Sequence, residues 1–156
     1  MWPAVPTVRG TACDRIAVPV DQRLVDAAVA LLDSRFAPNV WSGAAAMYTR
    51  EGSLLTSTFV SPHNAAADLC YETGAICEAH KLGQHVTASV CVCRDPDGRL
   101  FVLTPCGICQ ERLFFWGPEV EVGVPDPADA AHSLSKPLRE VQPYFWAKPF
   151  DERLRR

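Results

Sequence analysis

Two cysteine motifs set the strongest constraint on this chain: Asp68-Leu69-Cys70-Tyr71-Glu72, and Thr104-Pro105-Cys106-Gly107-Ile108-Cys109. The first cysteines of the two motifs lie 36 residues apart, so a fold that uses them together must bring distant segments to one point. Three thiolates can hold Zn²⁺ and leave its fourth position open, the arrangement of a catalytic rather than a structural site. A glutamate two residues after the first cysteine supplies a proton shuttle beside such a centre. Cys106 and Cys109 are one helical turn apart, so both sulfurs can face one metal. Pro105 suits a first helical turn, where its missing N–H costs nothing. Gly107 leaves room for close backbone approach, and Cys70, placed at another helix start, gains from the positive helix end that favours a thiolate.

Neither half carries the inference alone. A lone Cys-x-x-Cys is equally a redox pair or half of a structural zinc site. The redox reading expects strand, Cys-x-x-Cys and helix early in a thioredoxin-like chain, without a second Cys-x-Glu. A structural four-cysteine site needs another ligand, and Cys77 is read instead as a small core residue. Cys91 and Cys93 are read as sheet-packing residues that do not face one site together, and Cys13 has no nameable partner. The N-terminus lacks a charged segment followed by a long apolar run, so no signal peptide is expected. Seven cysteines then point to a reducing cytosol, where clusters bind metals more often than they pair.

With 156 residues the chain fits one domain. Its hydrophobic fraction of 48% and charged fraction of 21% are those of a water-soluble globular protein. A net charge of −3 argues against a nucleic-acid footprint, which is normally a basic stripe. The one basic cluster, Arg153, Arg155 and Arg156, reads as a solvated tail. No apolar stretch is long enough for a membrane span.

Along the chain, residues 1–20 read as an irregular arm and 21–150 as the folded domain. Asp21 can cap a helix to about Phe36, with Leu24, Val25, Ala28, Val29, Leu31 and Leu32 at helical spacing. Ala44 to Thr49 and Leu54 to Val60 form a hairpin, ended by Pro62. A helix from about Ala65 to Leu82, capped by His63 or Asn64 and closed by Gly83, would carry Cys70 and Glu72 in its early turns. Val86 to Arg94 and Leu100 to Leu103 are strands around the turn Asp95-Pro96-Asp97-Gly98. Pro105 begins a helix ending near Gly117, and Glu119 to Val124 is a last strand before a Pro/Ala/Asp loop. Leu138 to Val141 is a short helix ahead of Tyr144-Phe145-Trp146. The result is an α/β chain, a single sheet with helices packed on it.

These motifs together are the signature of zinc deaminases acting on nucleobases, with Cys at the position that His often holds. Over about residues 21 to 146 the chain resembles the cytidine deaminase family, including its small blasticidin S deaminase branch. The resemblance rests on Gly43-Ala44-Ala45, on Cys70-Tyr71-Glu72-Thr73-Gly74-Ala75-Ile76, on Thr104-Pro105-Cys106-Gly107-Ile108-Cys109, and on Gln142-Pro143-Tyr144-Phe145. It excludes Cys77-Glu78 as the ligand–base pair, because that glutamate directly follows its cysteine. It implies a three-layer α/β/α sandwich around one mixed five-stranded sheet. It also implies one zinc per chain on Cys70, Cys106 and Cys109, with Glu72 as general acid and base. The implied assembly is a homotetramer, or a homodimer, whose sites borrow residues from neighbours.

Three departures bear on the substrate. The family's Asn-x-Glu ribose clamp falls, counted back from Cys70, on Phe59 and Ser61. A site that lacks buried polar groups matched to a ligand hydroxyl loses strong discrimination. The arginine that often follows the glutamate or the last cysteine is here Thr73 or Gln110, leaving helix dipoles or Arg112 to offset three thiolates. Tyr71 stands where a small residue is usual. Candidate substrate contacts are thus Trp41, Ala44, Phe59, Ser61, Asn64, Tyr71, Thr104 and Pro105. The expected reaction is hydrolytic deamination of a cytosine-type ring on a free nucleoside or nucleoside analogue, cytidine, deoxycytidine or blasticidin-like. The alternatives are a non-nucleoside amino-heterocycle as substrate, or a non-catalytic binding protein on the same scaffold. A nucleic-acid deaminase would need a basic channel with aromatic platforms, which this sequence does not display.

Overall fold

In the computed structural model, residues 18–144 are described. Most of the N-terminal arm, Cys13, Phe145, Trp146, the C-terminal arginines and the expected domain end at 150 lie outside them.

Helix α1 (Gln22–Arg35) starts where expected, because Asp21 closes its open end: the carboxylate accepts from the Leu24 amide at 2.9 Å. Its buried stripe, Leu24, Val25, Ala28 and Leu32, is laid on one face of the sheet. There it meets Ala44 and Ala46 of β1 (Ser42–Thr49), Ala88, Val90 and Val92 of β3 (Val86–Arg94), and Val102 of β4 (Leu100–Leu103). The opposite face packs Met47, Leu55 of β2 (Leu54–Thr58) and Val122 of β5 (Glu121–Asp126). The partners there are Ala75, Ile76 and Ala79 of α2 (Thr73–Lys81), Leu113 of α3 (Gly107–Leu113) and Leu138 of α4 (Leu138–Val141). Removing each large side chain of these two cores from water is worth about 1.5–3 kcal/mol. The layers are therefore helix, sheet, helices.

The sheet is mixed and has six strands, ordered β2-β1-β3-β5-β6, with β4 on β3. Only the β3–β5 pairing is parallel. The sixth strand, β6 (Asp129–Pro137), occupies the stretch expected as a Pro/Ala/Asp loop. It carries little of the apolar alternation that marks a strand, since it is an edge whose side chains are mostly exposed or half-buried. Its register comes from β5, with Ser135 opposite Gly123 and Leu134 opposite Val124.

The expected long helix from Ala65 to Leu82 is not continuous. Asn64 caps only a 3-10 turn, Ala65–Ala67, its side chain accepting from the Ala66 amide at 3.1 Å. The chain then extends so that Leu69 bridges Val60, and α2 begins at Thr73 with Glu72 as its N-cap. Cys70 and Glu72 therefore precede the helix instead of riding in it. Gly83 closes α2 at φ +67°, a conformation that glycine takes without strain. Cys77 is exposed, contrary to its reading as core, because α2 buries Thr73, Ala75, Ile76 and Ala79 and Cys77 lies off that stripe. Helix α3 likewise starts two residues later than expected, with Cys106 as its N-cap.

Candidate metal centre

Glu72 and Cys106 are N-caps of two helices, and Cys70 lies two residues before the first. Cys109 is one turn into α3 and fully buried. These elements bring the sulfurs of Cys70, Cys106 and Cys109 within 4.8 Å of one another. The Cys70 and Cys106 sulfurs are 3.8 Å apart, far beyond a disulfide, and all three thiols are free. Tetrahedral zinc with bonds of about 2.3 Å places its sulfur ligands about 3.8 Å from one another. The donor set and its spacing thus fit the ion.

The thiols also show how the site handles negative charge. The Cys70 thiol is drawn down to about 5, first by its hydrogen bond with Cys109 and against the opposing effect of burial. Cys109 is pushed up by the same bond. Glu72 is only 1% exposed, and burial pushes its carboxyl up to about 7, with the Cys70 charge adding to the effect. Hydrogen bonding to Cys109 and Ser89 and the charge of Arg112 pull it the other way.

Two neighbours complete the surroundings of Glu72. Ser89 donates to its Oε1 at 3.0 Å. Arg112, on α3, donates to Thr73 Oγ1 at 2.6 Å, beside the glutamate. Nothing had singled out Ser89. Ser89 and Thr87 are the two hydroxyls in the mostly apolar run Val86–Val92, and Ser89 is the fully buried one, which has to find a partner. Ser89, Cys91 and Cys93 alternate and so share one side of β3. Cys91 is raised by burial and then by the charges of Glu72 and Cys70, while Cys93 is hydrogen-bonded to Tyr71. The expectation that Cys91 and Cys93 do not face one site together is therefore corrected: residues two apart on a strand point the same way.

Beside the centre lies a cleft of about 350 Å³ lined by Phe59, Val60, Ser61, Asp68, Leu69, Cys70 and Tyr71. Of the candidate contacts it gathers Phe59, Ser61 and Tyr71. Ser61 donates to Asp68 at 3.1 Å. The Asn64 side-chain oxygen is engaged in its cap. Trp41 is 64% exposed just before β1. Ala44 packs in the α1 core, turned from the thiols. Thr104 is exposed and Pro105 buried, the latter's carbonyl accepting from Gln110 Nε2 at 2.7 Å. Phe59, at the first clamp position, stacks on Phe36 with ring centroids 5.3 Å apart and planes 11° apart, and meets Tyr71 edge-on at 5.5 Å.

Comparison with known proteins follows the same lines. The crystal structure of the cytidine deaminase from Bacillus anthracis is 45% identical, covers 83% of this chain and 91% of its own, and superposes with a TM-score of 0.77. The cytidine deaminase from Mycobacterium leprae is 26% identical over 78% of this chain and 96% of its own, with a TM-score of 0.61. That from Burkholderia pseudomallei, at 21% identity and a TM-score of 0.63 over 80% of this chain and 98% of its own, shares the fold. No protein-family model matches the chain, and no curated protein does.

Proposed function

Because the chain belongs to the cytidine deaminase family, we propose that it is a zinc-dependent hydrolase that removes the exocyclic amine from a cytosine-type ring. The substrate is a free nucleoside or nucleoside analogue. The observation that carries this reading is the meeting of three free thiols with a buried carboxyl that has one hydroxyl donor and no permanent ion pair among the described residues.

Cys70, Cys106 and Cys109 would hold one zinc per chain. When bound, such an ion supplies an open coordination position and brings a water's pKa down to roughly 7. Glu72, poised by burial near neutrality, takes a proton from the attacking water and returns protons to the ring nitrogen and the leaving amine. The balance is water and an amidine-like C–NH₂ giving a carbonyl and ammonia. Ser89 holds Glu72 Oε1 in place during the transfer. Arg112, held at Thr73, offsets the excess negative charge of three thiolates beside a carboxylate.

A second reading, a non-nucleoside amino-heterocycle as substrate, is favoured by Phe59. Its ring is committed to Phe36 and Tyr71, so the segment after β2 that would hold ribose has aromatic packing and the Ser61–Asp68 pair in place of a polar clamp. A non-catalytic binding role is disfavoured by the intact Glu72. The homotetramer or homodimer and the cytoplasmic location are carried over from the family, and light scattering would test the former. The deciding experiment is ammonia release across cytidine, deoxycytidine, blasticidin-like nucleosides, cytosine and aminopurines. Saturable turnover of cytidine sinks the non-nucleoside reading, and no turnover of any of them by zinc-loaded protein sinks the enzyme.

A further inference from the structure

On the reading that Cys70, Cys106 and Cys109 hold a metal, we infer that Ser57 and Tyr71 are positioning residues that keep Cys70 and Glu72 aimed at one point. In an α-helix, residues two apart point about 200° from one another. A helical Cys70–Glu72 segment would send ligand and carboxylate to opposite sides. The two converge because 70–72 is a turn ahead of α2, closed by the Thr73 amide donating to the Cys70 carbonyl at 3.0 Å, and that turn is also held from outside.

Tyr71 is the handle by which the turn is gripped, at two places. Its carbonyl oxygen accepts a hydrogen bond from Ser57 Oγ on β2 at 2.6 Å. Its ring lies against Gly43 of β1, where a Cβ would come within 2.6 Å of Cε1 and 2.7 Å of Cζ. Phe59 also meets the ring edge-on and is itself pinned by its stack on Phe36. Gly74 belongs to the same arrangement. A glycine inside a helix costs about 1 kcal/mol relative to alanine, yet a Cβ on Gly74 would sit 2.8 Å from Ser57 Cβ. The small residue admits Ser57 to the Tyr71 carbonyl. Two glycines, one serine and one phenylalanine thus serve the single residue between ligand and base. Near the cleft, β2 braces the metal turn.

Loss of a group that orients a ligand typically lowers metal affinity by about 10- to 100-fold. The test compares wild type with Ser57→Ala, Tyr71→Ala, Tyr71→Phe and Gly43→Ala. Zinc per chain, the rate of zinc loss to a chelator, and the thiolate-to-cobalt absorption bands of cobalt-loaded protein are measured. Ser57→Ala and Tyr71→Ala should release zinc about 10- to 100-fold faster and shift the cobalt bands. Gly43→Ala should follow them, and Tyr71→Phe, which keeps the ring, should stay near wild type. If Tyr71→Ala does not fold, Ser57→Ala decides, since it removes one hydroxyl. Lower melting temperatures with unchanged zinc release and cobalt bands would overturn the inference, leaving a structural role. Wild-type protein that takes up no metal would overturn the metal reading itself.

Discussion

Ser89 donates to Glu72 Oε1 at 3.0 Å across a contact that water does not reach, Ser89 being fully buried and Glu72 nearly so. The bond holds one oxygen of the Glu72 carboxylate in place. Glu72→Gln should retain the metal and lose turnover by at least about 100-fold, the usual scale of a proton-transferring group. Ser89→Ala should cost about tenfold, matching one hydrogen bond to a charged group. Ammonia release by metal-loaded variants is the measurement, and normal turnover by Glu72→Gln would remove it from the mechanism.

Arg112 reaches Thr73 from α3. If its guanidinium offsets the charge of the thiolates, Arg112→Gln should lose zinc to a chelator about tenfold faster. Arg112→Lys should fall between that variant and wild type, since it keeps the charge and loses the fork of donors. Equal zinc release by all three proteins would refute the role.

The Phe59→Asn/Ser61→Glu double variant restores the family's clamp residues at the matching positions. It should gain activity on cytidine relative to larger or apolar-substituted amino-heterocycles, read as a ratio of kcat/KM values. It should also melt lower, because Phe59 gives up two aromatic contacts worth about 0.5–1.5 kcal/mol each. An unchanged ratio in a folded variant would show that specificity lies elsewhere.

Asp95 offers a pH test remote from the metal. Its Oδ1 accepts from the amides of Asp97 and Arg99 at 3.0 and 2.9 Å, and its Oδ2 from Arg99 Nε at 2.7 Å. Burial pushes this carboxyl up, but these hydrogen bonds and the Arg99 charge outweigh it and hold it below its ordinary value of 3.8. A depressed carboxyl stabilises the fold above the unfolded-state pKa and loses that contribution as pH falls through the folded one. The melting-temperature gap between wild type and Asp95→Asn should therefore be full at neutral pH and shrink once the pH drops below about 3.8. A gap that does not change with pH would mean that the charge contributes nothing.

Much of this was legible in the chain. Asp21 announced α1, the turn at Asp95–Gly98 separated β3 from β4, and the two cysteine motifs announced the cluster of three thiols, because each expresses a local rule. Three features depend on tertiary contacts and a fourth on helical phase, and these were not. Strand β6 is specified by pairing with β5 more than by its own pattern. The break before α2 is set by Leu69 returning to Val60, against a run whose alanines favour helix. The partnership of Ser89 with Glu72 joins residues 17 apart, and Cys77 looked apolar enough for a core from which its helical phase excludes it.

The span between the two cysteine motifs has a thermodynamic meaning as well. A metal shared by Cys70 and Cys106 closes a loop of 36 residues that contains all of α2, β3 and β4. While the ion stays bound, that closure restricts the unfolded chain much as a crosslink does, by roughly 4 kcal/mol on a loop-entropy scale. Strand β3 is the centre of the sheet, with β1 on one edge and β4 and β5 sharing the other. A metal ion held by these cysteines would thus also act as a staple around the sheet's central strand, so chelation would speed unfolding as well as silence any chemistry that depends on the ion.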